Sequence, residues 1–149
     1  MTRWRTGPPS GTVAAMTSMS RSEPVHLPDA LASFSQLWSP RVALRVNDYD
    51  VRVAKVAGDH VWHAHDDTDE FFLVLAGELT IDLRDDDGER RVVLPTGSAY
   101  VVPRGQRHRP SAPTGASLLM FEPTGTLSTG DHEGALPEHV DATAGRALG

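Results

Sequence analysis

The sequence predicts an all-β sandwich or barrel with a short N-terminal helix. Three observations carry this. Short apolar runs recur at close spacing from Arg41 to Glu122, Gly and Pro punctuate them, and several alternate with a period of two. The chain of 149 residues suits one domain with one core.

The helix comes first. Leu27, Leu31, Phe34 and Trp38 recur every three or four residues, with Asp29 in the first turn and Pro40 as a stop. Trp38 reads as a residue packing that helix on the barrel. Strands are expected over Arg41 to Val46 and Asp50 to Val56, where Val51 and Val53 alternate with Arg52 and Ala54. Glu70 to Ala76 is nearly continuously apolar, as in a strand buried on both faces. Gly77 turns it into Glu78 to Leu83. Asp85, Asp86, Asp87 and Gly88 form a hairpin tip, and a solvated turn explains this acidic cluster better than a calcium site. Arg91 to Leu94, Ser98 to Val102 and Ser117 to Glu122 complete the set, with Pro95, Gly97, Pro103, Gly105, Pro110 and Pro113 between them.

Around this core, residues 1–24 read as a disordered leader rich in Ser, Thr, Pro, Gly and Arg, and residues 125–149 as an irregular, polar tail. The barrel is expected over residues 25–124.

The composition excludes several functions. The formal net charge is −6 and no basic stripe offsets it, so nucleic acid is not an expected partner. The chain has no cysteine, which removes disulfides, iron–sulfur clusters and thiolate zinc sites. No apolar run approaches the roughly 20 residues needed to cross a bilayer. The apolar stretch Val13 to Met16 is too short for a secretory signal. A soluble, cytoplasmic protein with no membrane partner is expected.

Three of the seven histidines, His60, His63 and His65, fall within six positions. In an extended segment, residues two apart share a face, so His63 and His65 can grip one ion. His60 would face the other way on a straight strand and is left out. A reversal at Asp66 to Asp69 would bring Glu70 back over the pair, and the Pro103-Arg104-Gly105 turn could swing in His108. Three imidazoles and one carboxylate suit one divalent transition metal: zinc, iron, manganese, nickel or copper. In an octahedral field two positions stay open for water or substrate.

These residues fall into two motifs that resemble those of the cupin superfamily. The first runs G-x5-H-x-H-x(3,4)-E-x6-G; here His63-Ala64-His65 leads through four residues to Glu70 and six more to Gly77, with Gly58 one residue closer than the pattern asks. The second runs G-x5-P-x-G-x2-H-x3-N, and Gly97, Pro103, Gly105 and His108 fall in place, with Ala112 where the family has Asn. The resemblance spans about Arg41 to Glu122 and looks most like the small mannose-6-phosphate-isomerase-like cupins. It implies a double-stranded β-helix, or jelly-roll, barrel. The metal ligands it implies are His63, His65, Glu70 and His108, and the family often forms dimers. The start of a metallo-β-lactamase-like motif, His63-x-His65-x-Asp67, breaks at Thr68, and the amidohydrolase barrel needs about 250 residues.

The expected function is a metal-dependent enzyme acting on a small oxygenated metabolite, of isomerase, epimerase, lyase or dioxygenase type. The alternative is a non-catalytic module that binds or senses such a metabolite. The partner is a small molecule with oxygen donors, because an ion with one carboxylate ligand keeps a charge near +1 in a low-dielectric interior. Arg52, Lys55, Glu78, Arg84 and Tyr100 are the polar candidates near a pocket. Tyr100, mid-strand within the second motif, is the best candidate catalytic residue, and Tyr100 or Met120 is expected to line the cavity. A homodimer is expected, since open sheet edges need covering and the N-terminal helix and leader could lie across a partner's sheet.

Overall fold

A computed structural model describes residues 23–148, so the leader expected over residues 1–24 lies almost wholly outside the described residues. The element order is α1 (Leu27–Ala32), β1 (Arg41–Val46), β2 (Tyr49–Asp59), β3 (Glu70–Asp85), β4 (Gly88–Pro95), β5 (Ala99–Val102), β6 (Arg107–Pro123) and β7 (Arg146–Ala147). The strands pair in the order β4-β3-β6-β2-β1-β7, and β5 pairs with the start of β3. All pairs are antiparallel except β1 with β7. This is the all-β jelly roll that the sequence predicts.

The two longest strands shape the barrel. β6 pairs along β3 in three stretches, with register breaks between Val74 and Ala76 and between Gly77 and Thr80. Gly77 is therefore a bend inside one strand and not a turn between two. Its φ is +75°, and a Cβ there would meet the Gly115 carbonyl oxygen at 2.3 Å, so only glycine fits. β6 likewise runs through Pro110 and Pro113, which the sequence reading takes as breakers. Pro110 keeps its carbonyl for the His60 N–H, and Pro113 falls in the skipped register between Gly58↔Ala112 and Val56↔Ala116. The acidic tip is as expected: Asp85 pairs with Gly88 around a two-residue turn.

The inner face is built by period-two alternation. Phe72, Leu79, Ile81, Leu83 and Leu118 are fully buried there. A second, smaller cluster lies outside: Ala30 of α1 with Ala43 and Val53, flanked by Leu27, Leu31 and Phe34. The helix is shorter than the spacing suggests, because the Ser33 hydroxyl and N–H both cap the Ala30 carbonyl. Trp38 consequently leaves the helix altogether. It takes φ 49°, joins the inner core, and donates its indole N–H to the Ala57 carbonyl at 2.9 Å.

The tail packs against the barrel. Arg146–Ala147 runs parallel to β1, and Asp141 accepts from the Ser39 hydroxyl at 2.7 Å and from the Arg146 guanidinium. Among the described residues, no helix is long and apolar enough to cross a membrane.

Candidate metal centre

His63, His65, Glu70 and His108 converge, each contributing one donor atom within 4.8 Å of every other. All four are buried, from 0% exposed for His108 to 8% for His65. Local pairing explains the convergence. His63 and His108 form an isolated antiparallel bridge, with N–H to carbonyl bonds of 3.0 and 2.9 Å in the two directions. The His65 carbonyl accepts from Gly105 N–H at 2.8 Å, which seats the Pro103-Arg104-Gly105 turn. Asp69 holds the same turn through Arg104 N–H at 2.9 Å, and Glu70 then opens β3.

Glu70 Oε2 is the focus of the cluster. It lies 2.7 Å from His108 Nε2, 3.0 Å from His65 Nε2 and 3.9 Å from His63 Nε2. The opposite nitrogens of two rings are committed elsewhere: His63 Nδ1 donates to the Val61 carbonyl at 2.8 Å and His108 Nδ1 to the Gln106 carbonyl at 2.9 Å. In the neutral rings the Nε2 atoms then turn lone pairs toward a carboxylate oxygen, an arrangement that a cation between them stabilises. Backbone-anchored Nδ1 with free Nε2 is how imidazoles are oriented for a metal ion. Nε2 of His63 and of His65 are buried with no well-aligned hydrogen-bond partner, which is costly unless an ion is present. The donor spacing fits an ion with metal–ligand bonds of about 2.1 Å, whose donors stand roughly 3 to 4 Å apart.

The Cupin domain model matches residues 49–122. A cupin-2 domain containing protein from Shewanella frigidimarina NCIMB 400 is 40% identical, with a TM-score of 0.63 over 66% of this chain and 93% of that one. The chain belongs to the cupin family. Protein NMB1881 from Neisseria meningitidis is 28% identical with a TM-score of 0.61, over 68% of this cupin and 99% of that chain. The uncharacterized protein YdbB of Bacillus subtilis (strain 168) is 44% identical over 64 residues, so this cupin spans about half (54%) of that relative's length. Hydroquinone 1,2-dioxygenase from Sphingomonas sp. TTNP3 has a TM-score of 0.62 at 24% identity, over 76% of this cupin and 36% of that enzyme, a likeness of fold.

Burial governs the electrostatics of this cupin's site. It pushes His63 down to about 3 and His60 down to about 4, so both rings are neutral. For Glu70, burial works upward, yet the hydrogen bonds and charges of His108 and His65 hold its carboxyl well below the usual range. Burial also pulls His65 down, but the adjacent Glu70 carboxylate and the charges of Glu122 and Asp131 leave it raised. A neutral His63 ring and an ionised Glu70 carboxylate are the protonation states a metal ion requires.

Two spaces flank the centre. Inside is a cavity of about 20 Å³, lined by Trp38, His60, His63, Glu70, Phe72, Met120 and Ser128 among others. It holds about one water-sized molecule. Outside, a cleft of about 480 Å³ opens between His65 to Thr68 and the tail segment Pro123 to Leu127 with Gly130 and Asp131. Met120 thus lines the cavity. Tyr100 is not among its lining residues; it is half-buried on β5 opposite Phe72, close to the Arg90 guanidinium.

His60 stays out of the ligand set, as expected, but its facing differs from the expectation. The segment from His60 to His65 is not a straight strand, and His60 turns inward, 4.9 Å from the Trp38 ring and 5.0 Å from the His63 ring. Of the other polar candidates, Arg52 is fully buried on the inner face, Lys55 is tied to the Phe34 carbonyl at 2.8 Å, and Glu78 and Arg84 are exposed. Glu122 and Asp131 were missed. Glu122 was legible, since period two from Leu118 and Met120 puts it inside. Asp131 was not, because its role comes from the tail folding back: it accepts from Ala64 N–H at 2.8 Å and from Arg107 at 3.2 Å.

Proposed function

We propose that the chain is a metal-dependent cupin enzyme acting on a small oxygenated metabolite, with one divalent transition metal on His63, His65, Glu70 and His108. The observation that carries this is the convergence of three buried Nε2 atoms, those of His63, His65 and His108, on one carboxylate oxygen. A bound ion would supply Lewis-acidic charge: zinc suits isomerase, epimerase or lyase chemistry, and iron, manganese, nickel or copper suits a dioxygenase.

The chain's own residues set the rest. The inner cavity admits only a water-sized molecule, so the metabolite enters through the outer cleft beside His65. Phe72, Met120 and Leu118 keep bulk water from the inner side of the centre. The experiment is a split screen of metal-loaded protein: oxygen uptake with enediols and phenols, and isomerisation or elimination with keto acids and sugar acids. Tyr100 enters as a tested group. Unchanged ligand affinity and turnover in Tyr100→Phe removes it from the catalytic set.

The narrow interior also favours a second reading, a non-catalytic module that binds or senses the metabolite. Tight ligand binding with no product after long incubation selects it. The assembly proposed is a homodimer in the cytoplasm. The outer sheet face supports it, where Tyr49 stacks on Phe121 at 4.9 Å and both are exposed, with Phe71 and Val101 next in the same row.

A further inference from the structure

A row of carboxylates crosses the inner face beside the candidate centre. Continuing the register Phe71↔Phe121 by one residue sets Glu122 across from Glu70, and Asp50 pairs with Glu122 on its other side. Side chains so opposed on one face stand about 5 Å apart at Cβ. Glu122 is 1% exposed. Its Oε1 accepts from Arg52 Nη1 at 3.0 Å, whereas its Oε2 is buried with no partner.

Arg52 has nothing left to give that oxygen. Its Nε and Nη2 donate to Asp50 Oδ2 at 3.3 and 3.1 Å, Nη1 donates also to the Thr126 carbonyl at 2.9 Å, and Nη2 to the Ala144 carbonyl at 2.8 Å. Arg52 thus serves Asp50 and Glu122, and Asp50 also accepts from Arg45 Nε at 3.2 Å and from the Thr124 hydroxyl at 2.8 Å, which leaves Glu122 Oε2, across from Glu70, as the unshared oxygen. A divalent cation at the neighbouring centre adds positive charge beside Glu70 and Glu122. Uncompensated buried charge is otherwise expensive.

We propose that Glu122 is an outer carboxylate of the metal centre: it is not a ligand, and its charge and unshared Oε2 raise the affinity for a divalent cation. This rests on the metal reading above. A purely structural partner of Arg52 would behave differently, because removing it would weaken the metal-free fold. An outer carboxylate has the opposite signature. Replacing it with Gln leaves the metal-free fold intact, because the amide oxygen still accepts from Arg52, and weakens metal binding.

The test is competition of the full chain with a chromogenic chelator for zinc, in wild type, Glu122→Gln and Glu122→Asp, together with urea unfolding of the metal-free proteins. Glu122→Gln is expected to bind zinc 10- to 100-fold more weakly, the range found for groups behind metal ligands, while unfolding at an equal or higher urea concentration. Glu122→Asp keeps the charge and is expected within a few-fold of wild type. Cobalt-loaded wild type and Glu122→Gln are expected to share their visible bands, since the ligand set is the same. Equal zinc affinity in Glu122→Gln overturns the proposal, and so does a loss of affinity matched by a less stable metal-free fold. If Glu122→Gln does not fold, Glu122→Thr takes its place with the same expectations. Wild type that takes up no zinc, cobalt, iron or manganese defeats the metal reading itself, which the wild-type arm shows alone.

Discussion

Gly130 lies against the His63 ring: a Cβ on Gly130 would stand 2.9 Å from His63 Cδ2 and 2.4 Å from the Ala64 carbonyl oxygen. The tail thus helps set the position of an imidazole more than sixty residues earlier in the chain. Gly130 has φ +51°, and Asp131 beside it bonds Ala64 through both its N–H and its carboxylate. Gly130→Ala must displace the tail or the ring. A stability loss of about 1–3 kcal/mol is expected, with reduced metal content. Denaturant unfolding and elemental analysis of the same preparation check it.

Arg52 is the second point where tail and barrel meet. Its guanidinium joins Asp50 and Glu122 to the carbonyls of Thr126 and Ala144. Arg52→Met leaves Glu122 unpaired in the interior and Asp50 with Arg45 and Thr124 alone. The expected cost is about 3–5 kcal/mol, the range for breaking a buried pair from one side. Urea unfolding at pH 7 measures it.

The tail's outer fastening depends on pH. The Arg146 hydrogen bonds, opposed by burial and aided by the Ser39 hydroxyl, hold the Asp141 carboxyl below its ordinary value. A carboxyl depressed in the fold adds stability above its unfolded pKa of about 3.9, and that stability is lost as pH falls through the lower folded value. Wild type is therefore expected to lose stability relative to Asp141→Asn as pH drops from about 4 to 2. Thermal unfolding of both across that window tests it, and parallel curves would contradict it.

The barrel was legible because it follows from local rules. Strands β1, β2 and β4 fall within a few residues of their expected bounds, since alternation fixes which side chains face in. The four ligand-type residues were legible through motif spacing, and the structure brings them together. Three features could not be read along the chain. β3 stays one strand through Gly77 because β6 follows it around the bend. His60 faces inward because its segment is not extended, and that is set by its N–H bonding to Pro110 on β6. The packing of the tail depends on Arg52 and Ala64, partners far away in sequence that no local pattern announces.

Association is checked at the outer sheet face. Phe121→Glu puts a charge beside Tyr49 and Phe71, in a row that a partner copy would cover. A dimer for wild type and a monomer for the variant are expected by analytical ultracentrifugation. A monomeric wild type at working concentration contradicts the proposed dimer.

The central claim is that His63, His65, Glu70 and His108 hold a metal ion. Elemental analysis of protein purified without a nickel-affinity step, wild type beside His65→Ala, tests it most directly. About one divalent transition metal ion per wild-type chain, and a small fraction of that in the variant, is the expected result. Well-folded wild type that carries no such metal and takes up none on addition would contradict it.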